Sequence, residues 1–309
     1  MVKRVFISGA AGLVGQNLIA RLHRTTGIEI VGADKHAANL AILRGLYPDL
    51  QLIEADLAEP GPWQAQVAAS DCVVMLQAQI GGLYYEEFER NNVVATERML
   101  DAMGGSSPYL IHVSSSVVKS AADDFYTRSK EAQEKVVSGC GLKHIILRPT
   151  LMFGWFDRKH VGWLKRFMDR APVFPIPGNG RYLRQPLYAG DFSNIIESCI
   201  RTEQTGTYDI SGLEKIDYID LIRAVRSVTG SKTPIVKIPY EAFRLMLATY
   251  AIFDRNPPFT TSQLRALVTP DVFDVIDWPS IFSVKPTPLI EALTETFRDP
   301  VYSQISLEF

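Results

Sequence analysis

Tyr126 and Lys130 stand in the spacing YxxxK. Residues four apart share one face of a helix, which would put an ammonium beside a phenol. A phenol titrates near ~10, and nearby positive charge favours its anion, which brings it toward the working range of an acid and base. Such a group can exchange a proton with a hydroxyl or a carbonyl. The same spacing also suits a plain surface pair. Its place just downstream of the apolar run that ends in HVSSSVV is what points to chemistry.

A second set of residues could hold a phosphate. Gly9, Gly12 and Gly15 form GxxGxxG in GAAGLVG, directly after an apolar run and ahead of a helical pattern that begins near Leu13. Glycine lets the backbone turn tightly, and amide N–H groups at the helix start, here around Leu13 and Val14, can receive a pyrophosphate. Asp34 closes the second apolar run, 19 residues after Gly15. A carboxylate there accepts from both adenosine ribose hydroxyls and repels a 2'-phosphate, so the spacing predicts NAD rather than NADP. Lys35 and His36 are the neighbouring cations that could relax this choice, and Asp34 also suits a strand-end turn. Asp56 and Leu57 follow the third run, and Gln77 and Ala78 the fourth, where strand ends line a cofactor crevice. Asp56 could accept from the adenine amino group or cap a helix; its position allows both.

These residues need a frame. Short β-rich runs at Val5–Ser8, Glu29–Ala33, Gln51–Glu54, Cys72–Gln77, Tyr109–Ser114 and His144–Leu147 alternate with helical patterns such as Asn17–Arg24 and Asn92–Met103. That alternation predicts an α/β fold, a Rossmann doubly wound parallel sheet of six strands. After Arg148-Pro149 the regularity fades into proline and glycine, which suggests a smaller C-terminal substrate-binding lobe. The boundary is placed at residues 1–170 and 171–309, with room for the chain to cross between lobes. Tyr240–Phe253 is interrupted by Glu241 and Arg244 and reads as a packed amphipathic helix rather than a membrane contact.

Composition narrows the partners. The 309 residues carry a formal net charge of -2, so no global field draws nucleic acid or an anionic membrane. Three widely spaced cysteines and no signal-like N-terminus suit a cytoplasmic protein, and no metal-ligand pairing is evident. A small-molecule substrate is the expected partner.

Together GxxGxxG, Asp34, Asp56-Leu57, Asn92, the serine run, YxxxK and RPT resemble the extended short-chain dehydrogenase/reductase family, in its NAD-dependent epimerase/dehydratase branch acting on nucleotide sugars. Phe153-Gly154 and the C-terminal VKPTPLIEALTET resemble later signatures of the same family. The resemblance implies that Ser115, with Ser116 as the near alternative, bonds the reacting oxygen while Tyr126 and Lys130 complete the catalytic set. Lys119-Ser120 stands where the family has Tyr-Gly, and only nine residues separate Ser116 from Tyr126. It implies a structural role for Asn92 and places Pro149 and Thr150 on the nicotinamide side.

In GNGRYLRQPLYAGD, Arg184 holds the position at which such enzymes contact a substrate diphosphate, which a planar guanidinium suits. The second arginine of many relatives, in an RxGD element, is absent. Arg158, Lys159, His160, Lys165 and Arg166 form a basic stretch that could compensate for it, although a solvated helix face is the reading preferred, and Asp191 reads as a helix cap. No Asp-Glu pair follows Ser115, which disfavours dehydration. What the resemblance leaves is epimerisation by transient hydride transfer, favoured by the NAD preference, or reduction of a keto-sugar or other ketone. A non-catalytic dinucleotide-binding subunit or redox sensor is the reading from another class. The family also implies a homodimer formed through helices around Asn92–Met103 and Tyr126–Val137.

Overall fold

Val5 and Ile7 enter one hydrophobic core while Phe6, between them, enters another, which is the period-two signature of a strand buried on both faces. The computed structural model describes residues 3–120, 124–253 and 261–308. Its central sheet contains β1 (Lys3–Ser8), β2 (Ile28–Asp34), β3 (Gln51–Glu54), β4 (Cys72–Met75), β5 (Tyr109–Val113), β6 (His144–Pro149) and β7 (Gly206–Ile210). The order is β7-β6-β5-β4-β1-β2-β3, every neighbouring pair being parallel. The predicted doubly wound sheet is present, with one strand more than expected.

One face of the sheet is covered by helices Leu13–Leu22, Ala37–Leu46 and Ala189–Thr202, the other by Trp63–Ala68, Ala95–Met103 and Phe125–Ser138. Strand order reverses between β1 and β4. At such a switch point the loops that leave adjacent strands diverge and open a crevice at the carboxyl ends.

A separate core joins helices Val161–Arg170, Tyr218–Thr229 and Leu289–Arg298 with the paired strands Phe174–Pro177 and Ile235–Ile238. Residues beyond 170 do not all stay there: Leu187, Phe192 and Ile196 pack into the sheet core, and β7 extends the sheet itself. Trp278, Phe282, Tyr302 and Leu307 return to that core as well. The chain thus crosses between the two cores repeatedly.

Helix Tyr240–Phe253 forms, but it is not the packed helix its pattern predicts: Phe243 is buried, whereas Leu245 is 67% and Met246 49% exposed. Among the described residues no helix is long and apolar enough to cross a membrane.

Candidate active site

The loop that follows β1 is built around Gly9, whose φ of 64° lies in the left-handed region and whose absent side chain would collide with the Leu76–Gln77 backbone at 2.8 Å. Gly15 is equally constrained, since a Cβ there would stand 2.3 Å from the Gly9 carbonyl oxygen. Helix Leu13–Leu22 starts after Gly12 with no side chain capping it, leaving its first-turn N–H groups available at the crevice. Aligned peptide dipoles make that end favourable for an anion. A dinucleotide pyrophosphate fits this cradle.

Two adjoining cavities extend from it. A cavity of about 240 Å³ runs over the ends of β2, β3 and β4 and is lined by Asp34, Asp56, Leu57, Gln77 and Ala78 as well as Gly9 and Gly12. Asp34 accepts from Ala11 N–H and His36 N–H, both at 3.0 Å, which fixes its carboxylate beside the glycine loop. A carboxylate has further lone pairs for ribose hydroxyls. The Lys35 ammonium is drawn off to Asn91 Oδ1 at 2.7 Å. Asp56 accepts from Ala58 N–H at 3.0 Å and pairs with Arg90 at 2.6 Å, so part of its acceptor capacity is spent within the protein.

The larger cavity, about 550 Å³, brings together Gly9, Gly12, Leu13, Val14, Ala78, Ser115, Ser116, Tyr126, Lys130, Pro149 and Thr150. Residues predicted from four separate segments therefore share one space. Ser115 precedes the short 3-10 turn Ser116–Lys119, its hydroxyl accepts from Val117 N–H at 3.4 Å, and it hydrogen-bonds the Tyr126 phenol. Of the two serines, Ser115 is the one that engages Tyr126. Part of the connection from Ser116 to Tyr126 lies outside the described residues.

Lys130 sits one helical turn beyond Tyr126, fully buried, and donates to the Val113 carbonyl at 3.0 Å. Burial pushes its ammonium down to about 7, against the opposing pull of Glu134. Tyr126 moves the other way. Burial raises its phenol, the Ser115 hydrogen bond opposes the rise, and Asp124 adds to it. In the ligand-free cleft burial is the largest influence on the phenol, while the Lys130 ammonium is directed at the Val113 carbonyl.

A buried polar network holds this geometry. Asn92, in the π-helical turn Glu89–Val94, accepts from Gln79 N–H at 2.6 Å and donates to the Gln79 carbonyl at 3.1 Å and to Ser129 Oγ at 2.9 Å. Ser129 in turn donates to the Tyr126 carbonyl. Gln133 donates to the Asn92 carbonyl and to Thr96, which also receives Gln77, itself bonded by Ser8 at the end of β1. The catalytic helix is thereby locked to the ends of β1 and β4. Arg148 grips Glu134 through two bonds of 2.9 and 2.6 Å, tying the same helix to β6.

Arg184 is placed differently from its fellows. It lines a neighbouring cavity, and its guanidinium donates to the carbonyls of Leu183, Thr269 and Leu267, flanked by the rings of Tyr182 and Tyr218. Asp191 is also not a helix cap. It is buried and accepts from the Thr287 hydroxyl at 2.6 Å and its N–H at 3.0 Å, anchoring the Pro286–Pro288 segment.

Sequence reasoning missed the loop at the cleft mouth. Asp157 accepts from the N–H groups of Lys159, His160 and Gly162, each at 2.9 Å, and Arg158, Lys159 and His160, though exposed, line the large cavity from the loop that precedes the helix. An aspartate ahead of a helical run was the available signal. Phe273 and Asp271, also on the wall, had none.

A parallel switch-point sheet, a glycine cradle and a Ser, Tyr and Lys set in one cleft define a dinucleotide-dependent enzyme. Residues 5–211 match the model of the NAD dependent epimerase/dehydratase family, and the chain belongs to that family. NAD is its cofactor. Among curated proteins it is 22% identical to a ceramide reductase of Caulobacter vibrioides, over 76% of this chain and 73% of that protein. It is 25% identical to NADH dehydrogenase (ubiquinone) 1 alpha subcomplex subunit 9 of Dictyostelium discoideum, over 85% and 74%. Its fold matches the UDP-glucuronic acid 4-epimerase of Bacillus cereus solved with NAD, with a TM-score of 0.74 and 18% identity, covering 95% of this chain and 96% of the other.

Proposed function

We propose that the chain reduces a ketone to a secondary alcohol, reversibly, with Tyr126 as the proton donor. The observation that carries this is the Tyr126 phenol, held by Ser115 in the same cavity as the glycine loop and raised by burial from its ordinary value. NADH bound along that loop would supply the hydride. The Tyr126 hydroxyl gives its proton to the carbonyl oxygen as the hydride reaches carbon, and Ser115 orients that oxygen. Lys130, behind the phenol, returns positive charge when Tyr126 becomes phenolate, and the phenolate is reprotonated through the cleft. No carboxylic acid follows Ser115, so elimination of water has no acid at that position.

Epimerisation of a nucleotide sugar uses the same residues and is the second reading, favoured by the full-length likeness to structures of UDP-sugar epimerases. The Arg184 guanidinium weighs against it, because its donors face backbone carbonyls rather than a diphosphate. Incubation with NADH and a panel of ketones, followed at 340 nm, tests the proposal against parallel incubations with UDP-sugars. Stoichiometric NADH consumption supports reduction; epimer formation without net consumption overturns it in favour of the second reading. Tyr126→Phe should lower turnover by about 10²- to 10⁴-fold while NADH affinity holds, the usual range for a lost general acid.

A further inference from the structure

The large cavity does not end at the catalytic residues. Leu151, Lys159, His160 and Asp271 line both it and a second cavity of about 380 Å³ that leads away from Tyr126. The far wall of this second space is apolar: Val161, Trp163 and Leu164 on one helix face Leu221 on another, with Leu267 beside them. Two of the polar residues along it are already engaged by the protein. Arg184 donates to three backbone carbonyls, and Gln185 donates to Gly212 O at 2.6 Å and accepts from Phe273 N–H at 2.9 Å.

A diphosphate or a sugar passing beyond Lys159 and His160 to this far end would surrender hydrogen bonds to water and find the donors of Arg184 and Gln185 taken, which is costly. A hydrocarbon chain surrenders none. Leu151 is 42% and Trp163 39% exposed, so large apolar side chains stand open along the route where an apolar ligand would cover them. The polar throat at Lys159, His160 and Asp271 separates this end from the acid and base.

We propose that the second cavity is an apolar subsite for the tail of the substrate, which is an amphiphile: a ketone or secondary alcohol, polar near the reacting carbon, with a linear hydrocarbon chain. The inference deepens the ketone-reduction reading and rests on it for the identity of the reacting group. Its test reads binding instead of turnover. Secondary alcohols form a dead-end complex with the NADH-loaded protein, so calorimetry can follow 2-pentanol through 2-decanol. Kd should fall about fourfold per added methylene, the equivalent of ~0.8 kcal/mol for each one buried.

Trp163→Glu should flatten that series, with NADH affinity as the folding control; the series on the unaltered protein stands whether or not the variant folds. An affinity independent of chain length overturns the proposal, as does an unchanged slope in a folded Trp163→Glu variant. Displacement of 2-decanol by uridine diphosphate at equal or lower concentration overturns it too. A clear slope for the alcohols with no reduction of the matching 2-alkanones supports the subsite and defeats the reaction proposed above, so the two failures are distinct.

Discussion

Replacing Lys130 by methionine should stabilise the ligand-free protein while removing its activity. An unfolded lysine titrates near 10.5, whereas burial brings Lys130 down to about 7 in the fold. A depressed lysine means that the unfolded chain binds more protons between those values, so stability rises with pH across that window and the full cost is borne below it. At pH 7 linkage puts that cost at about 4 kcal/mol, and the loss of the hydrogen bond to Val113 O returns about 1 kcal/mol, leaving Lys130→Met about 3 kcal/mol more stable. From pH 7.0 to 8.5 the unaltered protein should gain about 1.6 kcal/mol from this one group, and the variant should lose that gain. The window is chosen with care. His112 and His160 are depressed by burial and act below about 6.5, while Cys72 and Cys199 are raised by burial and act above 9. Urea unfolding at pH 7.0, 7.5, 8.0 and 8.5 measures the slope in both proteins. Identical slopes, or a variant less stable at pH 7, would refute the reasoning.

Asp34→Ala should weaken NAD binding by about ten- to a hundredfold, the worth of charge-assisted hydrogen bonds to the ribose, and narrow the gap between NAD and NADP in a fluorescence titration. An unchanged ratio of the two affinities would remove Asp34 from cofactor selection. Asn92→Ala strips partners from Gln79 and Ser129 inside the core and should cost about 3 kcal/mol in urea unfolding, with turnover falling as the catalytic helix loosens. A loss under 1 kcal/mol would show that water replaces the amide. Arg184→Met should speed hydrogen exchange in residues 267–271 and leave NADH affinity alone. Abolished binding of uridine diphosphate with unchanged exchange would instead restore Arg184 as a phosphate ligand.

Which parts of this protein could be read from sequence follows from how far apart the partners lie. GxxGxxG and YxxxK are local patterns whose geometry a single turn or helix dictates, and both appear where their spacing puts them. The first six strands were legible as short β-rich runs between turn signals, although Gln51–Glu54 has exposed ends and only half-buried Leu52 and Ile53. β7 was not: Gly206–Ile210 reads GTYDI, mostly uncovered at its start, and joins the sheet only because helix Ala189–Thr202 carries the chain back across it. The backbone partners of Arg184 were hidden for the same reason on a larger scale. Its carbonyl partners lie 83 and 85 residues away, in a segment with no pattern that announces it. The cleft mouth lies between these extremes, since Asp157 organises only its own neighbours yet was masked by the run of basic residues after it.

Tyr126 and Lys130 show what spacing leaves out of an ionisation. Spacing supplies the neighbour and its charge; it says nothing of the water that folding removes. Here burial acts on both members at once, raising the phenol and lowering the ammonium, so each drifts toward its neutral form. A lysine near 7 is only partly charged at neutral pH and lends correspondingly little to a phenolate. On the ketone-reduction proposal the cleft before reaction holds a proton donor, and the proton it gives is the one a carbonyl oxygen requires. Positive charge brought into the same space would shift the balance back toward phenolate. On that proposal the direction of proton transfer depends on what shares the cavity with Tyr126, while the Asn92 network and the Arg148–Glu134 pair keep the helix that carries it in place.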